Sequence, residues 1–232
     1  FFRNSFDYIS AFDSNAAIVH YKPYPEKSLS SKNRNLLLID SGAQYLEGTT
    51  DITRVIKVGL KNHSRIKYVY TFLLKSLIRI ENKIFPKNVK SSEIDLFIRN
   101  FLSKFKISYS HGTGHGVGNF GDVHEKYPII SPSSKDILSN NNLFSIEPGH
   151  YEEGKFGLRI ENLYVSKITN NNLKLKNITL APYELNLVDC KLITSFERKY
   201  IKKYHQKIFN ILQPRLSRVH KDFFTKHLIN KI

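Results

Sequence analysis

The chain has 232 residues, of which 41% are hydrophobic and 12% aromatic, enough apolar material for one large domain or two small ones. Its formal net charge of +16 would attract anionic partners, but the lysines are scattered and accompany no RNA-binding or zinc-finger signature. We therefore interpret the charge as a solvated basic surface and expect no specific nucleic-acid partner.

A single cysteine, Cys190, excludes an intrachain disulfide and a cysteine-based zinc site. No apolar run approaches the length of a membrane span and no signal peptide opens the chain, so we expect no membrane partner and a cytoplasmic location. The chain starts at Phe1 and contains no methionine, which indicates a piece of a longer polypeptide and leaves a targeting signal upstream open.

The first elements along the chain are predicted strands. The segment AAIVHY at 16–21 is typical of a short strand, and a loop marked by Pro23 and Pro25 follows it. Further strands are expected around Asp40, which ends an apolar run, and around Asp51.

Two helices come next. Apolar residues recur at helical spacing over 64–83, which predicts an amphipathic helix. A second helix is expected to begin near Ser91 or Ser92, whose hydroxyls can cap it.

The remainder of the chain divides into a strand-rich part and a helical end. Residues 107–181 are rich in glycine, asparagine and β-forming residues and predict strands and loops. Thr194 and Glu197 have capping-box spacing, which predicts a basic helix that stops before Pro214, and an amphipathic segment covers about 215–229. No internal repeat or clean linker divides the chain, so we expect one α/β domain.

Two pairs of acids stand at symmetrical positions. Asp40 and Asp51 flank a turn region that contains Gly48, and a hairpin there would bring their carboxylates close to facing each other. Glu147 and Glu161 are equidistant from Gly154, a natural hairpin tip. Like charges opposite each other destabilise a sheet and cost more when buried, so two such pairs on apolar strands need positive partners such as divalent metal ions.

Histidines strengthen this metal hypothesis. The segment HGTGHGVGNFGDVHE contains His111, His115 and His124, and its glycines allow the backbone conformations that direct imidazoles towards one point. Four carboxylates and one imidazole suit Mn²⁺, Co²⁺ or Mg²⁺ better than a structural zinc site. They are also too many for one catalytic ion with an open position, so two ions bridged by carboxylates and a water fit better.

The blocks DSGAQYLEGTTDITR, HGTGHGVG with VHE, IEPG and FGLRIEN resemble the signature of aminopeptidase P, the Xaa-Pro aminopeptidase family of the pita-bread metallopeptidase superfamily. The resemblance runs from about Ala16 to 189 and continues weakly into the final helices. It implies a pita-bread fold of the α/β (α+β) class, with helices on the outer face of a curved, mainly antiparallel sheet. It also implies one catalytic domain over 1–232 that lacks its first helix and strand, ends in helices at 194–232, and is without the N-terminal domains of longer members.

The resemblance assigns the metal ligands by motif. Asp40 would bind one ion, and Asp51 would bridge both. His115 and Glu147 would bind the second ion, while Glu161 would also bridge.

The resemblance also assigns catalytic residues. His20 of AIVHY and His124 of VHE match the family's histidines that position the substrate and handle protons, and His111 lies along the substrate channel. Glu147 resembles the general base for the attacking water.

The implied reaction is hydrolysis of the peptide bond between an N-terminal residue and a following proline, by a water or hydroxide that bridges two divalent metal ions. The implied cofactors are two Mn²⁺ ions, with Co²⁺, Zn²⁺ or Mg²⁺ as alternatives. The implied partners are peptides with proline in second position, and the family allows a homodimer of the full-length protein. Arg159 and Thr53 could contact the ligand carboxylates from behind, or Arg159 could form a plain surface salt bridge.

Three alternatives stay open. Prolidase, in the same fold, would cut only Xaa-Pro dipeptides, although the forms HGTGHGVG and GTTDITR favour aminopeptidase P. Methionine aminopeptidase uses the same kinds of metal ligands but arranges its histidine motif differently. A non-catalytic pita-bread module that binds RNA through the basic surface would be expected to have lost ligands, and all five metal positions are intact.

Overall fold

The computed structural model describes residues 1–22, 34–59, 63–229 and 231. The loop expected around Pro23 and Pro25 lies outside these residues. In the described part, the strands in chain order are β1 (Arg3–Asn4), β2 (Ile9–Phe12), β3 (Leu36–Ser41), β4 (Ala43–Tyr45), β5 (Gly48–Thr49), β6 (Ile52–Lys57), β7 (Phe85–Pro86), β8 (Gly114–Gly116), β9 (Glu125–Ile130), β10 (Leu143–Ile146), β11 (Gly149–Glu152), β12 (Phe156–Arg159), β13 (Asn162–Thr169) and β14 (Asn172–Asn177). The α-helices are α1 (Ser64–Glu81), α2 (Ser91–Ser103), α3 (Ser195–Leu212) and α4 (Arg218–Phe224).

The strands form antiparallel sheets, as predicted. Six of them have the order β7-β14-β13-β10-β8-β9. Two further sheets have the orders β2-β3-β6 and β1-β4-β5, and β11 pairs with β12 as a separate hairpin. The sheet β2-β3-β6 and the hairpin β11–β12 supply the acids discussed below, so their mutual placement decides the geometry of the site.

The predicted helix over 64–83 is confirmed as α1. Its apolar positions are buried and belong to the hydrophobic core, because a helix that repeats apolar residues at this spacing covers one face with them. The buried residues predicted from the spacing are Ile66, Val69, Tyr70, Leu73, Leu74, Leu77 and Ile80. Helix α1 packs against α2 and α3 and against strands β12 and β14.

Helix α2 begins at Ser91, as predicted, but the predicted serine cap is wrong. Ser91 is the first helical residue and Lys90 the N-cap, so neither serine hydroxyl caps the helix. The carboxylate of Glu93 instead accepts a hydrogen bond from the backbone N–H of Lys90 (3.1 Å), and the carbonyl of Asp136 accepts one from that of Ser91. An acid in the first turn and a neighbouring segment therefore satisfy the N–H groups of Lys90 and Ser91.

The predicted strand at 16–21 is wrong. A 3-10 helix covers Asp13–Ala17 and the chain then turns. The carbonyl oxygen of Ala16 lies so close to Gly157 of β12 that a Cβ there would be 1.8 Å away, and this close backbone contact with a distant strand leaves no place for a ladder at 16–21. Tertiary packing therefore overrides the β-forming composition.

The C-terminal helices agree with the sequence. Thr194 is the N-cap of α3, and its hydroxyl and the carboxylate of Glu197 form the predicted capping box. Helix α3 ends at Leu212, before Pro214, and α4 continues into a π-helical turn at Thr225–Ile229. Among the helices of the described residues, none combines the length and the apolar character that crossing a membrane requires.

Candidate metal centre

The first acid pair lies in and directly beside the sheet β2-β3-β6. Asp40, at the end of β3, stands opposite Thr53 of β6, and Ser41 stands opposite Ile52. Asp51 directly precedes β6 and lies two residues before Thr53. The two aspartates are therefore offset by two residues and do not face each other directly, in contrast to the approximate pairing predicted from the sequence. Because side chains alternate along a strand, this diagonal arrangement still keeps both carboxylates on one face.

The second acid pair has the predicted register. Gly149 pairs with Arg159, and the N–H of Ile160 donates to the carbonyl of Pro148 over 3.3 Å. The next pair in this register is Glu147 with Glu161. At the tip, Gly154 has φ of +70°, a conformation that glycine adopts without a steric penalty.

Backbone hydrogen bonds hold these two glutamates against separate strands. The N–H of Glu161 donates to the carbonyl of Thr53 over 3.2 Å, which fixes it beside Asp51 and Asp40. The N–H of Glu147 donates to the carbonyl of Thr113 over 2.8 Å, just before β8. The hairpin therefore joins the aspartate sheet to the histidine segment.

His115 lies in β8 between two glycines that the packing requires. A Cβ at Gly114 would lie 1.9 Å from the carbonyl oxygen of Ser145, and one at Gly116 would lie 2.1 Å from that of Tyr127. Strands on both sides thus approach the backbone of β8 closely. This explains the glycines on either side of His115 in the sequence.

Potential ligand atoms converge in overlapping groups. Oxygens of Asp40, Asp51 and Glu161 lie within 4.8 Å of one another, and so do ligand atoms of His115, Glu147 and Glu161. The two groups share Glu161. Asp51 also reaches the second group, since its Oδ2 lies 3.5 Å from Nε2 of His115. All five predicted metal ligands are therefore brought together.

The electrostatics of this cluster call for a cation. Burial, followed by the charges of Glu161 and Asp40, raises the pKa of Asp51 to about 11. Burial and the charge of Glu147 raise the pKa of Glu161 to about 8. Burial also raises the pKa of Asp40, although Arg159 opposes this. Carboxylates packed so closely cannot all ionise at neutral pH without an added positive charge.

Hydrogen bonding orients His115 so that its Nε2 faces the carboxylates. Nδ1 of His115 donates to the carbonyl of Gly116 over 2.9 Å, which leaves Nε2 facing Glu147 at 3.3 Å and Asp51. Burial alone would lower the pKa of His115, but the hydrogen bond and charge of Glu147 raise it to about 9. The pKa of Glu147 is lowered because His115 outweighs its burial. A proton on Nε2 thus occupies the position where a metal ion would bind, so the donor set fits divalent metal ions.

Arg159 contacts Asp40 directly and Glu161 through Thr53. This decides between the two roles that the sequence allowed for Arg159. Its guanidinium donates to Oδ2 of Asp40 over 2.6 Å, to Oγ1 of Thr53 over 3.1 Å and to the hydroxyl of Tyr151 over 3.0 Å. Thr53 in turn donates to Glu161 over 2.8 Å. The surface salt bridge is excluded, since Arg159 is 2% exposed.

Two further residues support the site although the sequence predicted no role for them. Tyr151 lies between Arg159 and Nε2 of His111, which is 2.8 Å from the tyrosine hydroxyl. Arg54 donates to the backbone carbonyl of Glu161 over 2.5 Å and to Oδ1 of Asn162 over 2.7 Å, fixing the strand that carries the shared ligand. The available signal was a charged side chain inside the apolar β6 run, three residues after Asp51.

The other predicted histidines line a cavity of about 710 Å³ that opens onto the acids. The rings of His115 and His124 have centroids 4.2 Å apart, and a nitrogen of His124 lies within 4.8 Å of ligand atoms of Asp51 and His115. His20 is exposed on the cavity wall. His111 uses both ring nitrogens, one bonded to the carbonyl of Gly112 and the other to Tyr151. The structure thus brings all four candidate catalytic residues, His20, His111, His124 and Glu147, to one cavity.

Protein-family models match most of the chain. The model of metallopeptidase family M24 matches residues 1–167, and the model of the C-terminal region of peptidase M24 matches residues 171–228.

Curated relatives carry consistent names. The chain is 40% identical over 233 residues to a probable Xaa-Pro aminopeptidase P of Arthroderma otae, with 92% of the chain covered. It is 37% identical over 233 residues to aminopeptidase P1 of Arabidopsis thaliana, with 96% covered. The chain spans 36% of the length of each of these relatives.

Solved structures share the fold. The X-prolyl aminopeptidase of Caenorhabditis elegans, described as a cytosolic enzyme with a di-nuclear active site, matches 97% of the chain with a TM-score of 0.88 and 32% identity. The match covers 38% of that protein. A prolidase from Thermococcus sibiricus matches 78% of the chain, and 47% of its own length, with a TM-score of 0.66 and 33% identity.

Proposed function

The chain belongs to metallopeptidase family M24 and has its pita-bread fold, and from this premise we propose that it acts as a dinuclear aminopeptidase that hydrolyses the bond between an N-terminal residue and a following proline. The observation that carries the proposal is the pair of overlapping ligand groups joined by Glu161 at the floor of a cavity. The relatives named Xaa-Pro aminopeptidase P, at about 40% identity, support the substrate class.

The five ligand residues would hold two divalent ions. Asp40, Asp51 and Glu161 would hold one, and His115, Glu147 and Glu161 the other, with Asp51 reaching both. Oxygen-rich ligation with one imidazole favours Mn²⁺, with Co²⁺, Zn²⁺ and Mg²⁺ as alternatives. When bound, such ions supply Lewis acidity and lower the pKa of water to near neutrality.

Glu147 is suited to accept a proton. Its lowered pKa keeps it ionised at neutral pH, and Oγ of Ser145 (3.2 Å) and the guanidinium of Arg159 (3.9 Å) hold its carboxylate. It borders the cavity, so a proton removed from the attacking water can move to its carboxylate. Glu147 is thereby proposed as both ligand and general base.

His124 and His20 would act on the substrate. Burial and the nearby His115 lower the pKa of His124, which makes it a neutral N–H donor at pH 7. Such a donor on the cavity wall can bind the oxygen that becomes negative as the peptide carbonyl is attacked. His20 lines the same cavity and is proposed to position the substrate.

His111 is proposed to orient the substrate rather than to transfer protons. Burial lowers its pKa, and its nitrogens are engaged by Gly112 and Tyr151. The ring therefore presents a fixed face to the cavity. Tyr8 and Ile9, which line the same cavity, provide apolar surface suited to a compact ring such as that of proline.

The test is release of the N-terminal residue from Arg-Pro-Pro, Arg-Ala-Pro and the dipeptide Arg-Pro by the full-length protein, with Mn²⁺ and with chelator. Metal-dependent cleavage of Arg-Pro-Pro but not of Arg-Ala-Pro is expected. Rapid cleavage of the dipeptide alone would make the protein a prolidase. No cleavage by protein shown to hold two metal ions would refute the enzyme proposal.

Location and assembly are further proposals. The cytosolic relative supports a cytoplasmic location, which fractionation of cells can check. A homodimer of the full-length protein is expected from the family resemblance, and light scattering measures it.

A further inference from the structure

An ion pair on α2 lies behind the histidine segment. Nε of Arg99 lies 2.9 Å from both oxygens of Asp95, one turn earlier on the helix. The carboxylate is 1% exposed, although the guanidinium is partly accessible. A pair of this spacing on a solvated helix face contributes little to stability, so the burial of the Asp95 carboxylate needs another explanation.

The rest of the guanidinium holds a different part of the chain. Nη1 of Arg99 donates to the carbonyl of Tyr109 over 2.7 Å, and Nη2 donates to the carbonyl of His111 over 2.6 Å. The guanidinium carbon also lies 4.1 Å from the centre of the Tyr109 ring. The planar fork therefore fixes the backbone on both sides of Ser110, immediately before the histidines.

The carboxylate of Asp95 reaches the same segment through a hydroxyl. Oγ1 of Thr113 donates to Oδ1 of Asp95 over 2.5 Å. Since that hydrogen is used, the hydroxyl of Tyr109, also 2.5 Å from Oγ1, donates to Thr113. Thr113 is fully buried, so its hydroxyl has both its donor and its acceptor role satisfied.

Thr113 connects this network to the metal centre. Its carbonyl accepts the hydrogen bond from the N–H of Glu147, and His115 follows it by two residues on β8. His111 precedes it by two. A displacement of Thr113 would therefore move two proposed ligands and one substrate-facing ring together.

We propose that Asp95 and Arg99, acting through Thr113, are positioning residues that set the orientation of His115 and Glu147 towards metal. The inference rests on the proposed function for its kinetic consequence, but metal affinity tests it independently. Residues that hydrogen-bond to a metal ligand orient its side chain. Their replacement typically costs about 10- to 100-fold in metal affinity or activity.

The test uses graded variants in the full-length protein. Thr113→Val removes the hydroxyl at nearly constant volume, whereas Thr113→Ser keeps it. Arg99→Lys keeps the charge and loses the fork. Lys75→Gln is the matched control. Like Arg99, Lys75 donates to a buried carboxylate, that of Glu197 (2.8 Å), and to a backbone carbonyl, that of Leu192 (2.6 Å), but it does not line the site. The readouts are Mn²⁺ affinity by calorimetry, thermal midpoint, and kcat and KM on Arg-Pro-Pro.

We expect Thr113→Val and Arg99→Lys to lose about 10- to 100-fold in Mn²⁺ affinity. At saturating metal, we expect kcat to fall by a larger factor than KM rises. Thr113→Ser should keep the Mn²⁺ affinity and the kcat of wild type. Lys75→Gln should lower the thermal midpoint while retaining the affinity. Equal Mn²⁺ affinity in wild type, Thr113→Val and Arg99→Lys would overturn the proposal. If wild type binds Mn²⁺ but cleaves nothing, the proposed function fails, and the affinities still decide the positioning role.

Discussion

Arg159 and Asp40 form a buried ion pair in which one carboxylate oxygen is held and the other is left open. Nη2 of the arginine donates to Oδ2 over 2.6 Å. Within the part of the chain that the structure describes, Oδ1 is buried without a hydrogen-bond partner. A buried oxygen without a partner costs free energy, and a metal ion bound by Oδ1 would remove that cost.

Arg159→Lys should therefore weaken metal binding. Lysine keeps the charge but cannot contact Asp40, Thr53 and Tyr151 at once, so the carboxylate loses its fixed direction. We expect a loss of about 10- to 100-fold in Mn²⁺ affinity, measured by calorimetry.

A surface arginine provides the control for that experiment. Arg65 pairs with Glu152 near the tip half of the β11–β12 hairpin, and its side chain is 44% exposed. Arg65→Lys should leave Mn²⁺ affinity unchanged. If Arg159→Lys also binds Mn²⁺ like wild type, Arg159 does not orient Asp40.

Metal binding should release protons at neutral pH. In the metal-free protein the pKa of Asp51 is about 11, that of Glu161 about 8 and that of His115 about 9, so all three hold protons at pH 7. Ligands must lose these protons to bind a cation. We expect more than one proton released per chain when Mn²⁺ saturates the site.

Calorimetric titrations of Mn²⁺ in two pH 7 buffers of different ionisation enthalpy measure this release. Binding heats that do not depend on the buffer would contradict the expected protonation of the empty site.

Acid should destabilise the fold through a buried histidine that is not one of the proposed site residues. Burial lowers the pKa of His205 to about 4, and its ring accepts from the N–H of Tyr183 and donates to the carbonyl of Leu228. Its unfolded pKa is about 6.5, so between these values the unfolded chain binds more protons. Stability from this residue is therefore complete above pH 6.5 and is lost as pH falls towards 4, by up to ~1.4 kcal/mol per pH unit.

Urea unfolding at pH 7, 6 and 5 checks this pH dependence. His205→Asn keeps a donor and an acceptor but cannot titrate, so its stability should fall less over the same range. Parallel pH profiles for the two proteins would show that His205 contributes nothing to acid sensitivity.

The cap of α3 should contribute stability without affecting catalysis. Thr194→Ala removes the hydroxyl that accepts from the N–H of Glu197, and we expect a loss of about 1 kcal/mol in the free energy of unfolding. Thr194→Ser keeps the cap and should differ little from wild type. Urea unfolding of the metal-free protein measures both, and a similar loss in the two variants would assign the effect to the methyl group.

Elements with a local cause were predictable from the sequence. The apolar spacing of α1, the capping box of α3 and the register of Glu147 with Glu161 each depend on residues near one another in the chain. The proposed metal ligands could be named because family motifs mark them, and the acid pairs by themselves already predicted a cation. Gly154 sets the second hairpin by its own backbone conformation.

Features with a distant cause were not predictable. The offset of Asp40 from Asp51 arises because β4 and β5 lie between them and form a separate sheet with β1. The segment at 16–21 is shaped by its contact with Gly157. Asp95 and Arg99 have the spacing of an ordinary helix-surface pair, and only the folded chain brings the carbonyls of Tyr109 and His111 to them.

The two acid pairs come from separate parts of the chain, and this has a kinetic consequence. Asp40 lies on β3 and Asp51 directly precedes its partner strand β6, whereas Glu147 and Glu161 flank the β11–β12 hairpin, with α1, α2 and β8 between the two pairs in the chain. No complete binding site exists until these parts dock, and docking brings like charges together. We therefore expect metal ions to bind mainly after this docking. They should lengthen the lifetime of the native state by slowing unfolding, while leaving the rate of refolding nearly unchanged.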